Sequence, residues 1–158
     1  MSNLRQMYAN LAARSVSFTT EAGATSSIRV YDLDALPVSL PAANAPARLL
    51  LPYSTVTQGR DGSFQTLDTV MSVTWVIADL LLWKPGTLGA GIAESAGDLI
   101  RYQGAYMEML RTFADMGLGN TAIQQVAMLP GLYEWPINSQ TLWQAVMVQI
   151  VVLEELSS

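Results

Sequence analysis

The sequence predicts an α+β fold: a mostly antiparallel sheet of four to six strands, packed by an N-terminal helix and a helix near residues 92–116, with a long projecting hairpin. Two long runs, 64–82 and 137–153, alternate in side-chain character as sheet strands do. Apolar residues recur at a spacing of three to four from Ile92 to Phe113, which is typical of a helix. The turn-forming segment Gly59–Ser63 marks the hairpin tip. With 158 residues, we expect a single domain, 1–158.

The shorter elements follow from local patterns. An apolar stripe from Leu4 to Leu11 predicts a short first helix. The strand Ile28–Leu33 precedes a proline-studded tract, whose extended pieces belong at a sheet edge because proline cannot donate to a ladder. Further segments are assigned as the strand-like pieces Pro37–Leu40 and Arg48–Leu51, the strand Asn120–Leu129 and the turn Pro130–Pro136. The strand 137–153 is apolar on both faces, so we expect a helix on one side and a helix or a neighbouring chain on the other.

The composition excludes several classes of site. The chain has no cysteine and no histidine, which excludes disulfides, thiolate or histidine zinc sites, haem-histidine ligation, and the serine–histidine and cysteine–histidine triads. Lys84 is the only lysine and the formal net charge is −5, so tight nucleic-acid binding is not expected. We expect no cofactor.

The surface is short of charge, because only 13% of the residues are charged while 51% are hydrophobic. A membrane span is rejected, since the longest apolar stretch, Met71–Trp83, is shorter than a bilayer requires and contains Asp79. A secretory leader is rejected because Met1–Ala13 lacks a continuous apolar core. The favoured explanation is burial against other protein chains, whose interfaces are poor in charge and rich in aromatic residues and methionine. A merely neutral monomer is the alternative.

The candidate catalytic groups are weak. Asp32 and Asp34 would share one side of a strand and could hold a metal, but a solvated strand end is the preferred interpretation. Asp79 interrupts an apolar strand, which indicates either a buried carboxylate or a bulge that turns it to solvent. Glu154–Glu155 is interpreted as a solvated terminus, and the glycines of 86–91 as a connector without phosphate-loop spacing. We therefore expect no catalytic, cofactor or metal site, and not an enzyme.

The order of elements resembles the small tail terminator and neck proteins of long-tailed bacteriophages. The resemblance rests on the short N-terminal helix, the segment ALPVSL at 35–40, a turn-tipped hairpin, the helix carrying YMEML at 106–110, and the final strand with WQAVMVQI at 143–150. It implies a virion protein at the head–tail junction that forms a ring, usually of six copies. The ring would cap the tail tube, join it to the head connector, and let DNA pass without sequence-specific binding. No membrane is involved.

A ring of identical subunits needs two different patches that meet head to tail. Charged residues at the hairpin tip would set the register, and aromatic residues at strand ends would anchor the contact. The expected interface residues are Arg60, Asp61, Phe64, Trp83, Lys84, Tyr133 and Trp135.

Two other functions stay open. One is a small α+β ligand-binding or catalytic domain with a pocket between the sheet and the helix 92–116, lined by Trp75, Tyr102 and Tyr106 beside Asp79. The other is a different virion component, such as a tube subunit or a head–tail stopper.

Overall fold

The computed structural model describes residues 3–52, 62–67 and 70–157. Two α-helices and six strands occur in these ranges, which confirms the α+β prediction. In chain order they are α1 (Leu4–Ala12), β1 (Arg29–Tyr31), β2 (Ala47–Leu51), β3 (Gly62–Leu67), β4 (Val70–Pro85), α2 (Ala96–Arg111), β5 (Thr121–Glu134) and β6 (Leu142–Ser157). Short 3₁₀ turns lie at Leu33–Ala35 and Ala42–Asn44.

The sheet is built around the long strands β4 and β6, which pair along nearly their whole length. The strand order is β1-β2-β4-β6-β5, and β3 pairs with the first half of β4. Because β6 occupies the other side of β4, β2 and β3 share one side and follow each other along it. The β1–β2 pair is parallel and every other pair is antiparallel, so the sheet is mostly antiparallel as predicted.

The two faces of the sheet bury different cores. On the helix face, Ile77 and Leu81 of β4 pack with Val148 of β6 against α1 and α2. On the second face, Leu80 and Met147 pack beneath the crossover segment 32–46, which joins β1 to β2. β6 is covered on both faces at its beginning, but the cover on the second face is this crossover of the same chain and not the expected helix or neighbouring chain.

The prediction of one continuous strand over 64–82 is wrong, because two strands, β3 and β4, occupy this range. β3 and β4 pair antiparallel, with Leu67 opposite Val70, so the chain reverses between them. The sequence pattern does not indicate this reversal, because apolar and polar residues alternate on both sides of it. Of the predicted hairpin tip Gly59–Ser63, residues 59–61 lie outside the described residues, while Gly62 and Ser63 belong to β3 and not to a turn. The projecting hairpin remains a prediction.

Two proline-containing segments also differ from expectation. Pro37–Leu40 is not a strand, because it belongs to the crossover between the two 3₁₀ turns. The turn expected at Pro130–Pro136 is wrong, since β5 continues to Glu134 and the chain turns at 135–141. The Trp135 amide donates to the Thr141 carbonyl, and bond direction alternates along a strand, so Pro130 directs its nitrogen away from β6. An edge strand tolerates proline in that position.

Candidate interaction surface

Four of the seven predicted interface residues lie at one end of the sheet. At this end, Lys84 of β4 pairs with Gln144 of β6, and Tyr133 of β5 pairs with Trp143. Trp83 and Trp135 are the adjoining residues. We call this region the Lys84 end and define it as residues 83–95 and 132–144.

The other three predicted residues do not lie there. Arg60 and Asp61 fall outside the described residues. Phe64 is in β3 opposite Val73, which is eleven residues along β4 from Lys84. At the rise of a β-strand that separation is about 36 Å. The predicted contacts therefore divide between opposite ends of the sheet.

The aromatic residues of the Lys84 end are anchored in the two cores. The Trp83 ring packs on Phe18 with centroids 5.5 Å apart on the helix face. Tyr133 and Trp135 pack with Trp143 on the second face, where the Trp143 indole donates to the Trp135 carbonyl at 3.3 Å. Their rings are half-buried, so they support this end of the sheet and keep part of their surface exposed.

Loops around the Lys84 end expose apolar side chains to solvent. Leu88 is 88% exposed in the loop between β4 and α2, and Ile137 is 52% exposed in the β5–β6 turn. Val38 is 91% exposed on the crossover, whose neighbouring residues Leu36 and Leu40 pack in the same core as Tyr133 and Trp135. Exposed apolar groups are typical of a surface that other proteins cover where they form one contiguous patch.

Asp79 is fully buried and remains in register, opposite Leu50 and Val148. The solvent-directed bulge considered for it is wrong, because the β4–β6 irregularity lies between Leu82 and Lys84. Its Oδ2 accepts hydrogen bonds from Arg48 Nη2 at 2.6 Å and from the Tyr106 hydroxyl at 2.7 Å.

Arg48 completes this buried network. Its Nη1 donates to the Arg14 carbonyl at 2.6 Å, and its side chain is fully buried. Burial lowers the pKa of Arg48, but the Asp79 carboxylate together with Tyr102 and Tyr106 outweighs it, so the pKa of the guanidinium is raised. This network of one ion pair and two further hydrogen bonds therefore links β2, β4, α2 and the segment after α1 inside the core.

Glu154 is also buried, so the solvated terminus expected for it is wrong. Its Oε1 accepts from the Asn3 backbone amide at 2.6 Å, and its Oε2 accepts from the Trp75 indole at 2.8 Å. Asn3 is the N-cap residue of α1, where unpaired amides favour a carboxylate. Glu155, the next residue, is exposed as expected.

Asp32 and Asp34 lie at the 3₁₀ turn Leu33–Ala35 and not on the predicted strand, and both pair with Arg5 of the same chain. Arg5 Nη2 lies 3.0 Å from Asp32 Oδ2 and 2.7 Å from Asp34 Oδ2, and this pairing raises the pKa of Arg5. The two carboxylates thus fasten α1 to the start of the crossover.

Comparison with known proteins assigns no family: no protein-family model and no curated protein matches the chain. In the described part of the chain, acidic residues form no group of three or more that could hold a metal ion. No helix within those ranges is both long and apolar enough to cross a bilayer.

The buried tyrosines predict a loss of stability at alkaline pH. Burial raises the pKa of Tyr8 to about 12 and raises the pKa values of Tyr102 and Tyr106 well above the usual range. Unfolded tyrosines ionise near pH ~10. The stabilisation is therefore complete below that pH and is lost as the pH rises toward the folded-state pKa values.

The Tyr102 hydroxyl is buried and has no hydrogen-bond partner among the described residues. We expect Tyr102→Phe to keep or increase stability at neutral pH and to make the alkaline loss shallower. Denaturant unfolding followed across this pH range measures both effects. If the stability of Tyr102→Phe depended on alkaline pH as that of the parent chain does, Tyr102 would not contribute to the alkaline loss.

Sequence reasoning did not identify several important residues. The sequence pattern places Arg48 in a strand without indicating its partner, and it does not indicate that Glu94 lies beside Lys84. Lys84 Nζ lies 2.7 Å from Glu94 Oε1, a partner ten residues away across the loop. The one available signal for Arg48 and Asp79 was a pair of opposite charges in otherwise apolar strands.

Proposed function

We propose that this protein is a structural component of a phage virion that forms a ring at the head–tail junction. The ring caps the tail tube and joins it to the head connector, with DNA passing through its lumen. Copies of the chain and the neighbouring tube and connector proteins are its partners. This proposal is based on the resemblance in element order and on the shortage of surface charge.

The observation that carries the proposal is the Lys84 end. There, Leu88 and Ile137 are exposed beside half-buried aromatic side chains. Interfaces combine such anchored aromatic residues with apolar contacts that exclude water. Phe64 of β3 lies about 36 Å away, estimated from the strand rise. Head-to-tail closure requires two different patches on one subunit, and the proposal places the second near the β3 position of Phe64.

The proposal predicts oligomers that close through the Lys84 end. Native mass spectrometry and negative-stain electron microscopy of the protein, alone and with a tail tube protein, should detect rings. Leu88→Asp and Ile137→Asp should each shift the population to monomers, because a buried unpaired carboxylate opposes association.

Ile100→Asp is the matched control, since Ile100 is exposed on α2 outside the Lys84 end. It should leave the rings intact. A parent chain that stays monomeric both alone and with the tube protein contradicts the proposal. Equal disruption by all three variants contradicts the placement of the interface.

A further inference from the structure

The exposed side of α2 carries two large apolar side chains. Ile100 is 68% exposed and Met107 is 48% exposed, although the helix packs on the core through its other side. They are seven residues apart, so they lie two turns apart along one side of the helix. Gly104, which is also exposed, lies between them on the same side because it follows Ile100 by four residues. We call these three residues the α2 stripe.

Gly104 leaves room for another backbone at the middle of the α2 stripe. A glycine inside a helix is less stable than an alanine, and Gly104 lies in the regular part of α2. A Cβ on it would meet nothing within 4 Å among the residues that the structure describes, so contacts within the chain do not require glycine. The distance between packed helices is set by the side chains at their contact. The α2 stripe therefore permits a second helix to approach most closely at Gly104.

Opposite charges flank the α2 stripe along one edge. Arg101 and Glu108 each follow an apolar residue of the stripe by one position, and both are exposed. Arg101 donates to the Thr19 carbonyl at 3.3 Å. Glu108 Oε1 accepts from Arg111 Nε at 3.0 Å and from Arg111 Nη2 at 2.6 Å. A carboxylate has two acceptor oxygens and a guanidinium has five N–H donors, so Glu108 Oε2 and Arg111 Nη1 can bind further partners.

We propose that α2 pairs with α2 of a second copy of this chain, antiparallel about a two-fold axis at Gly104. In an antiparallel pair the same edge of both helices lies side by side with its order reversed, so Arg101 of each copy faces Glu108 of the other. The distances of these two residues from Gly104 differ by one residue, which is about 1.5 Å along the helix. Ile100 likewise packs against Met107 of the second copy. A parallel pair would place this edge against the other edge of the stripe and lose the charge pairs.

A second charge pair follows from the same axis. Arg111 lies seven residues after Gly104 and Gly97 lies seven residues before it, so Arg111 is placed opposite Gly97 of the second copy. A Cβ on Gly97 would collide with the Glu21 carboxylate, so this carboxylate lies over Gly97. Arg111 therefore meets Glu21 of the second copy. Symmetry makes each of these contacts twice, and this charge complementarity is what assigns the α2 stripe to a second copy.

Sedimentation equilibrium of the full chain, from low-micromolar to millimolar concentration, tests this pairing. We expect the mass of two chains at high concentration. Ile100→Asp should weaken the affinity about tenfold or more, because an unpaired carboxylate opposes burial in the contact. Ile137→Asp is the matched control, since Ile137 is exposed but lies at the Lys84 end, and it should leave the affinity unchanged. This control also removes ring closure under the proposed function, so the pairing is measured in it without rings.

The charge pairs are tested by reversal. Arg101→Glu and Glu108→Arg should each weaken the affinity about tenfold, because like charges then face each other twice. The double variant Arg101→Glu/Glu108→Arg restores the opposite charges and should return the affinity to that of the parent chain. Since the chain has no cysteine, a mixture of Ile100→Cys and Met107→Cys chains should oxidise to the mixed disulfide in an antiparallel pair.

Three results would overturn the pairing: the mass of one chain at every concentration in both the parent chain and Ile137→Asp, equal weakening by Ile100→Asp and Ile137→Asp, or a double charge variant that pairs no more tightly than the single ones. Disulfides formed only between identical chains would contradict the antiparallel orientation. The pairing needs neither a ring nor a virion protein, and rings are recognised by their mass and image. Dimers that never assemble into rings would remove the virion proposal alone.

Discussion

Replacing Asp79 with alanine is expected to lower the free energy of unfolding by about 3–5 kcal/mol. The Arg48 and Asp79 side chains are both fully buried, with Arg48 Nη2 2.6 Å from Asp79 Oδ2. Alanine would leave the guanidinium charged and fully buried without the carboxylate that pairs with it. It would also remove the acceptor of the Tyr106 hydroxyl. Chemical denaturation measures the change.

The double variant Arg48→Met/Asp79→Leu separates the loss of one partner from the loss of the pair. Apolar residues of similar volume often replace a buried ion pair at little cost, so most of the stability should return. This variant also keeps the test informative if the Asp79→Ala chain does not fold. The matched control is Asp34→Asn, which breaks an exposed contact with Arg5 and should change stability little. A double variant as unstable as Asp79→Ala would contradict this account.

Replacing Glu154 with methionine is expected to cost about 1–3 kcal/mol for each donor that it leaves unpaired. Those donors are the Asn3 amide at the start of α1 and the Trp75 indole, which lie at 2.6 Å and 2.8 Å from the two carboxylate oxygens. Methionine keeps a similar volume, so the lost acceptors dominate the effect. Because Trp75 donates directly to Glu154, its fluorescence should also change in the folded state.

Glu154→Gln refines this prediction. The amide keeps one acceptor oxygen and presents a donor to the other partner, so the loss should be smaller than with methionine. Glu155→Gln, one residue along and exposed, should leave stability unchanged. If hydrogen exchange shows α1 equally protected in Glu154→Met and in the parent chain, the carboxylate does not hold the start of this helix.

The long regular elements could be predicted because their periods are local properties of the chain. Leu99, Tyr102, Tyr106 and Leu110 form the buried face of α2, and the predicted stripe passes through this face. The predicted helix extended to 92–116 because Phe113 and Ile92 pack on the same core from outside α2. The alternation in β6 likewise identified a strand with two apolar faces, of which Val148 and Met147 face different cores.

The candidate site was less predictable. Trp83, Lys84, Tyr133 and Trp135 were identified one by one as residues at strand ends, but their common location depends on the β4–β6–β5 register. Glu94 gave no signal, because its partner Lys84 lies ten residues away along the chain. Their contact depends on the path of the loop between β4 and α2.

The amino-acid sequence by itself determined the α+β class, the absence of cysteine and histidine chemistry, and a surface poor in charge. These follow from composition and from repeats of two or 3.6 residues, which act over short distances. The tertiary structure decided which charges are buried, where the chain reverses before β4, and which predicted contacts share one end of the sheet. Each of these depends on pairing between distant residues, since the environment of a polar side chain is set by the strands and loops that pack around it.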